Sequence, residues 1–256
     1  FTVPSGATIV NSGTATGFGI TAASFRPNAK PLIINGDMAV AQRSTSVTGI
    51  TGDSYNTCDR WYFRASNGGT WTQTQEALTA DEAYEDGFST ALKMDCTTAD
   101  ASLGAGDYMR MMYKIEAQDL QLLKFGSSTA EKLTVAFWVK STKTGTFILE
   151  LFQEDDARTC SQSYTIDATD TWEFKILNYP ADTTGVIDNN NGTGIEMNFW
   201  MGAGTTYTSG TLNETWNASV SANRAVGQVN EADSDSNNFH ITGVQLEVGE
   251  YTSSTI

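Results

Sequence analysis

The sequence predicts an all-β protein, an antiparallel sandwich preceded by a short extended segment, on three observations. Apolar and polar residues alternate with a period of two along much of the chain, Gly, Ser, Thr and Asn fill the intervals, and only one short stretch has helical character. The composition agrees, with 39% hydrophobic and 18% charged residues in 256. That mixture suits short strands joined by polar turns better than helices, which favour Ala, Leu, Glu and Lys. The length accommodates one large sandwich, or a medium domain with an appendage.

Residues 1–21 scatter Val3, Ile9 and Val10 among Gly, Ser, Thr and Ala. Such a strip cannot bury enough surface to fold alone, so it must pack on the rest of the chain or on copies of itself. It is expected to be an extended shaft or oligomerisation segment. Residues 22–31 carry Pro27 and Pro31 and read as a linker. The sandwich is then assigned to 32–256, opening with the strand LIINGDMAV.

The strands follow in order. DRWYFRA sets Trp61 and Phe63 against Tyr62 and Arg64. TALKMDC alternates Leu92, Met94 and Cys96. YMRMMYKIEA places Met109, Met111, Tyr113 and Ile115 on one face, with Arg110, Met112, Lys114 and Glu116 on the other. AQDLQLLKFG, about two turns long, is the one helical candidate. KLTVAFWVKST is the clearest strand, with Leu133, Val135, Phe137 and Val139 inward. GTFILELFQ follows after a turn at Gly145. TWEFKILNY is read with Trp172, Phe174 and Ile176 inward, and GIEMNFWMG with Ile195, Met197, Phe199 and Met201 inward. In NFHITGVQLEVG the phase changes between Ile241 and Val244, which predicts a β-bulge at Gly243.

A formal net charge of -15 argues against nucleic-acid binding, because phosphate contact needs clustered Lys and Arg. It fits solubility, cation binding or an uncharged partner such as a glycan. Cys58, Cys96 and Cys160 are odd in number and widely spaced, so they read as buried or half-buried thiols of a chain folded in a reducing compartment. No apolar run reaches the ~20 residues of a membrane span, and membrane insertion is not expected.

Nucleophilic catalysis finds no support. The chain has one histidine, His240 in mid-strand, and no G-x-S-x-G elbow. With 30 acids, some pair will meet the spacing of a glycosidase by chance, so such a pair would mean little. The chain is read as non-enzymatic. Aromatic side chains matter more, because sugar rings stack on flat faces while Asn, Asp, Gln and Arg read the hydroxyls. Trp138, Trp200 and Tyr62 fall out of phase with the inward residues of their strands. Trp71 and Trp216 are placed near loops. These five are the carbohydrate-binding candidates, against the alternative that another layer or a covering loop buries them; Trp61 and Trp172 are assigned to the core.

Acidic, oxygen-rich loops at 153–158, 188–194 and 231–238 make calcium the most plausible ion. Asp233, Asp235 and Asn237 begin like an EF-hand, but the sixth position is Asn238 rather than Gly and the twelfth is Val244 rather than Glu. A structural calcium held by Asp188, Asp233 or Asp235 with backbone carbonyls stands beside the plainer reading of solvated turns.

Four phrases carry a family resemblance: LIINGDMAVAQRSTS with DRW, YKIEAQDLQLL, LTVAFWVKSTKTGTF and FHITGVQLEVG. In this order they resemble a module of bacteriophage tail and head fibres, and the N-terminal TVPSGATIVNSGTATGFG resembles the shafts that precede it. The resemblance implies a jelly-roll related to carbohydrate-binding modules, displayed as a homotrimer on a virion, with other virion proteins and a host-surface glycan as partners. It transfers no catalytic residues. It adds Asp37 to the calcium candidates, since such modules often hold the ion near the opening strand. Pure capsid or fibre decoration without a ligand, and a carbohydrate-binding module of a secreted bacterial enzyme, are the alternatives.

Overall fold

A computed structural model describes residues 31–252. The expected shaft, 1–21, and the expected linker, 22–31, apart from Pro31, lie outside the described residues. Eleven strands occur among those described: β1 Ser46–Tyr55, β2 Trp61–Ala77, β3 Thr90–Thr98, β4 Tyr108–Glu116, β5 Leu133–Ser141, β6 Gly145–Gln153, β7 Arg158–Ile166, β8 Glu173–Tyr179, β9 Thr193–Ala203, β10 Asn217–Ala218 and β11 Asn238–Val248. Their pairings are antiparallel. The hydrogen-bonded order is β10-β7-β6-β9-β4-β2-β3-β11-β5-β8, with β1 added on β2.

One strand turns this order into two layers. The first half of β2, Trp61 to Ser66, pairs with β4, and the second half, Thr70 to Ala77, pairs with β3. Between them Asn67, Gly68 and Gly69 have φ of 59°, 92° and 82°, a run that glycine adopts without steric cost. A Cβ on Gly69 would lie 2.4 Å from the carbonyl oxygen of Thr98. Layer one therefore holds β10, β7, β6, β9, β4 and the start of β2; layer two holds the rest of β2 with β3, β11, β5 and β8. Strand β1 follows β2 across the corner, Ser46 to Ile50 pairing with its second half and Ser54 and Tyr55 with its first.

The inner faces meet through aromatic rings, which bury large areas and prefer tilted contacts. Phe137 of β5 packs on Phe199 of β9 at 5.0 Å and on Tyr164 of β7 at 5.2 Å between ring centroids. Phe147 of β6 stacks on Phe239 of β11 at 5.8 Å. The inward sets expected on β3, β4, β5 and β9 are all buried. Trp61 lies in the same core, while Trp172 is buried in a smaller cluster on the outside of layer two with Leu78 and Ala91. The bulge is present as well: the register of β11 on β5 shifts between Thr242 and Gln245, and Gly243 has φ 60°. Residues Ala117–Leu123 form a 3-10 helix where a helical stretch is expected.

Two expectations fail. LIINGDMAV is not a strand, because Asn35 and Met38 take positive φ and the Asn35 amide closes a loop by donating to the Val40 carbonyl at 2.9 Å and accepting from its N–H at 2.8 Å. β8 runs in the opposite phase to that predicted: Tyr179 and Leu177 reach the core, and Phe174 is exposed beside Trp138 at 5.4 Å. Trp172 precedes the strand and turns to the outer cluster, so it does not share the phase of Leu177 and Tyr179.

Replacing Gly69 by Ala should cost at least about 2 kcal/mol, from the left-handed backbone and the carbonyl clash together. Gly106, whose Cβ would meet nothing within 4 Å, is the control. Urea unfolding of the two variants checks this, with Gly106→Ala expected within about 0.5 kcal/mol of the parent.

Candidate functional site

The outer face of layer one carries an unusual set of side chains. Cross-strand pairing lines them up in three rows: Tyr62, Met112, Asn198 and Glu150; Arg64, Arg110 and Trp200; Lys114, Glu196 and Phe152. Directly opposed residues share a face, so each row crosses the layer from β2 or β4 toward β6. Tyr55 ends β1 opposite Tyr62, with the two rings edge to face at 4.7 Å. The Arg43 guanidinium lies over the Tyr55 ring at 5.3 Å.

Three adjoining hollows open on this face. One of about 290 Å³ is lined by Arg43, Tyr55, Arg60, Lys114, Glu116 and the backbone turn at Asn191, Gly192 and Thr193, among others. The next, about 360 Å³, shares Tyr55 and Lys114 with it and adds Asp53, Tyr62, Arg64 and Met112. The last, about 90 Å³, begins at Arg64 and is closed by Tyr108, Arg110, Trp200, Tyr207 and Arg224. Shared walls make the three a single groove. It offers exposed and half-exposed tyrosine rings flanked by amide, guanidinium, ammonium and carboxylate groups, an arrangement suited to a ligand with both flat apolar faces and hydroxyls.

The deep end of the groove is organised around Glu150. This carboxylate is fully enclosed and accepts two hydrogen bonds from Arg224, at 2.6 and 2.8 Å, and one each from Asn198 at 3.2 Å and Trp200 Nε1 at 3.3 Å. Arg224 comes from the segment between β10 and β11, and this pairing draws that segment over the sheet. Ala225, Tyr207 and Leu212 then cover Trp200 and Ile148.

The sequence-predicted residues separate. Tyr62 is half-buried in the groove. Trp200 lies beneath it, 0% exposed, as the floor of the small hollow. Its outward phase is as read, but the covering segment encloses it. Trp71 is a core residue whose Nε1 donates to the Gly68 carbonyl at 2.8 Å. The glycines before it form the corner of β2 rather than a loop. Trp216 is also interior, with Nε1 bonded to the Pro180 carbonyl at 2.8 Å and its ring against Phe125. Neither of these last two presents a ring to solvent. Trp138 is half-buried on the opposite side of the molecule, outside layer two, beside Phe174. Tyr55, Arg64, Arg110, Lys114 and Arg224 line the groove without standing out in the sequence; the one signal is charge inside apolar strands, as at Arg110 in YMRMMY.

The calcium candidates do not converge. Asp37, Asp188 and Asp235 are exposed and apart, and Asp233 is paired with Lys143 and accepts from Asn237 Nδ2 at 2.7 Å. Among the described residues no three Asp, Glu, His or Cys side chains form a ligand group. The acid that is buried in that loop is Glu231, bonded to Ser141 at 2.5 Å. Burial pushes its carboxyl up to about 8, against the pull of Ser141 and Lys143. It is thus protonated near neutrality, the reverse of what a cation would need.

His240 is buried and its Nε2 faces Glu76 at 3.0 Å; burial holds its pKa below the ordinary value. The three cysteines are unpaired and buried. Burial pushes their thiols up to about 11 for Cys58 and Cys96 and about 12 for Cys160, which withholds the reactive thiolate. No helix among the described residues is long and apolar enough to cross a membrane.

No family model matches the chain, and no curated protein matches it. Among solved structures it is similar to the enzymatically active domain of bacteriophage CBA120 tailspike protein 4, at 13% identity and a TM-score of 0.40. That match covers 85% of this chain and 21% of the tailspike chain, about a fifth of its length. A family 4 carbohydrate-binding module is similar at 12% identity and TM-score 0.42, over 84% of this chain and 99% of that one. A family 11 carbohydrate-binding module from Clostridium thermocellum, in complex with a β-1,3-1,4-mixed-linked tetrasaccharide, is similar at 12% identity and TM-score 0.37, over 80% and 99%. Similarities of this size carry over neither a ligand nor an activity.

Glu231 makes a prediction about pH. Its folded carboxyl titrates near 8 and its ordinary value is 4.5. The stability it contributes is therefore complete below that ordinary value and is lost as pH rises toward 8. Glu231→Gln, which mimics the protonated form, should gain on the parent by an amount growing to on the order of 3 kcal/mol at pH 8.5. Urea midpoints of the two proteins from pH 5 to 8.5 test this; a constant difference would refute it.

Proposed function

We propose that this chain is a non-catalytic sugar-recognition module of a bacteriophage fibre, with the outer groove of layer one as its binding face. The observation that carries the recognition part is the groove itself. Tyr55, 43% exposed, and Tyr62 stand together at its centre. Arg43, Asp53, Arg60, Arg64, Lys114, Glu116 and Asn191 surround them with donors and acceptors. A pyranose can lay its apolar face on a tyrosine ring while its hydroxyls meet that rim. The fibre part rests on the resemblance of the strand phrases and of the N-terminal strip.

A sheet face is a rigid platform, and rigid platforms lose little entropy on binding. A single shallow groove still yields weak affinity. Three copies joined through the N-terminal strip would raise it by avidity, because the second and third contacts become intramolecular. This is the physical advantage of the homotrimer that the strip's inability to fold alone already motivates.

Glycan-array binding by the full chain is the direct test. Tyr55→Ala and Tyr62→Ala should each weaken binding about tenfold, or ~1.4 kcal/mol, whereas Trp138→Ala, on the far side, should not. A folded chain that binds no saccharide would favour fibre decoration without a ligand, and release of reducing ends would overturn the non-catalytic reading. Separately, light scattering of the full chain should give three times the monomer mass; a monomer mass would sink the trimer.

A further inference from the structure

The net charge of -15 suggests that this protein should repel anions. The groove does not follow that expectation. Arg43, Arg60, Arg64, Arg110, Lys114 and Arg224 line it, six of the 15 Lys and Arg residues in the chain. Asp53 and Glu116 are acids on its walls, Asp59 pairs with Arg43 at 3.1 Å, Glu154 meets Glu196, and Glu150 and Glu196 are buried beneath. Six cations of an acidic chain thus gather here, with acids beside most of them.

The small hollow at the deep end is the most cationic part. Three guanidinium groups, of Arg64, Arg110 and Arg224, meet in about 90 Å³. Arg224 is matched by Glu150 through two hydrogen bonds. Arg64 shares Glu196 with Lys114, at 3.9 Å and 3.2 Å. Arg110 pairs with a carboxylate without a hydrogen bond to it. It is 4% exposed, and its nearest carboxylate oxygen, on the already engaged Glu150, stands 3.6 Å away, too far for a hydrogen bond. Its Nε and Nη1 have no hydrogen-bond partner. The guanidinium faces are covered, by Trp200 at 5.0 Å and Tyr108 at 5.4 Å, and the unpartnered Nε and Nη1 are themselves enclosed. A buried guanidinium with unpartnered N–H groups is costly unless an acceptor completes it, and carboxylate and sulfate oxygens are the strongest acceptors for it.

We propose that this hollow seats an anionic substituent, a carboxylate or a sulfate, so that the glycan recognised by the groove is an acidic one. The proposal rests on the groove being a sugar site and adds the class of sugar. The sugar ring lies on Tyr62 and its anionic group points past Arg64 toward Arg110, with Tyr108 and Tyr207 as walls. Glu150 positions the pocket from below by fixing Arg224.

The test is calorimetric titration of the full chain with three saccharides of equal length: oligomannuronate, neutral oligomannose and a sulfated carrageenan oligosaccharide. At least one charged form should bind at least tenfold tighter than the neutral one, and that preference should shrink as NaCl is raised. The uronate and sulfate arms tell the two anions apart. Arg110→Met should abolish the preference; Arg64→Gln, at the more exposed mouth, should reduce it in a variant whose folding is not at stake. Equal binding of neutral and charged forms, unchanged by either substitution, would overturn the acidic-sugar inference and leave the sugar groove standing. If the folded protein bound none of the saccharides on the array or in the calorimeter, the groove reading itself would fall.

Discussion

The corner in β2 is the constraint from which the rest of the molecule follows. A 17-residue strand that stayed straight would belong to one sheet, and the hydrogen-bonded order would continue as a single open layer. Three consecutive residues with positive φ, Asn67 to Gly69, swing the chain so that Trp61 and Phe63 serve one layer while Trp71 and Gln73 serve the other. The carbonyl of Thr98 sits where a side chain on Gly69 would be, so the turn and the neighbouring strand are packed to backbone contact. With the layers thus folded on each other, Phe137, Phe147, Phe199 and Phe239 can meet between them. The outer face of layer one, freed from core duty, is available for the groove.

That outer face shows how a buried charge can organise a site. Glu150 has no exposure and would be strongly destabilising alone. It is tolerated because Arg224, Asn198 and Trp200 all donate to it, and the same bonds hold the segment before β11 against the sheet. Pair and cover are therefore one construction: without the cover the carboxylate would be in water, and the carboxylate joins the Ser161–Arg224 and Ile148–Gln228 hydrogen bonds in anchoring the cover. The hollow beside Arg110 is the space this construction leaves.

The sequence was informative where one face of a strand is apolar and the other is not. Leu133, Val135, Phe137 and Val139 on β5, and Met109 to Ile115 on β4, read correctly because a period of two is the direct imprint of a half-buried strand. The Thr242–Gly243 bulge was legible for the same reason, as a break in that imprint. Reading failed where a distant segment changes the environment. Trp200 keeps its outward phase yet is enclosed by residues 205 to 225, and nothing near Trp200 in sequence announces that cover. Trp71 was misplaced because Ser-Asn-Gly-Gly looks like a loop, and only the pairing of both flanks shows a continuous strand. Of the five aromatic candidates only Tyr62 and Trp200 line the groove, since other lining residues come from β1, β4 and the cover, which are brought together by register rather than by proximity in the chain.

The three thiols have a consequence beyond their inertness. None is joined to another, and each is withheld from solvent with its proton held tightly. The fold therefore owes nothing to a covalent cross-link and offers no easy target for one. Its described conformation is held by packing and hydrogen bonds alone, so thiol reductants find no bond in it to break.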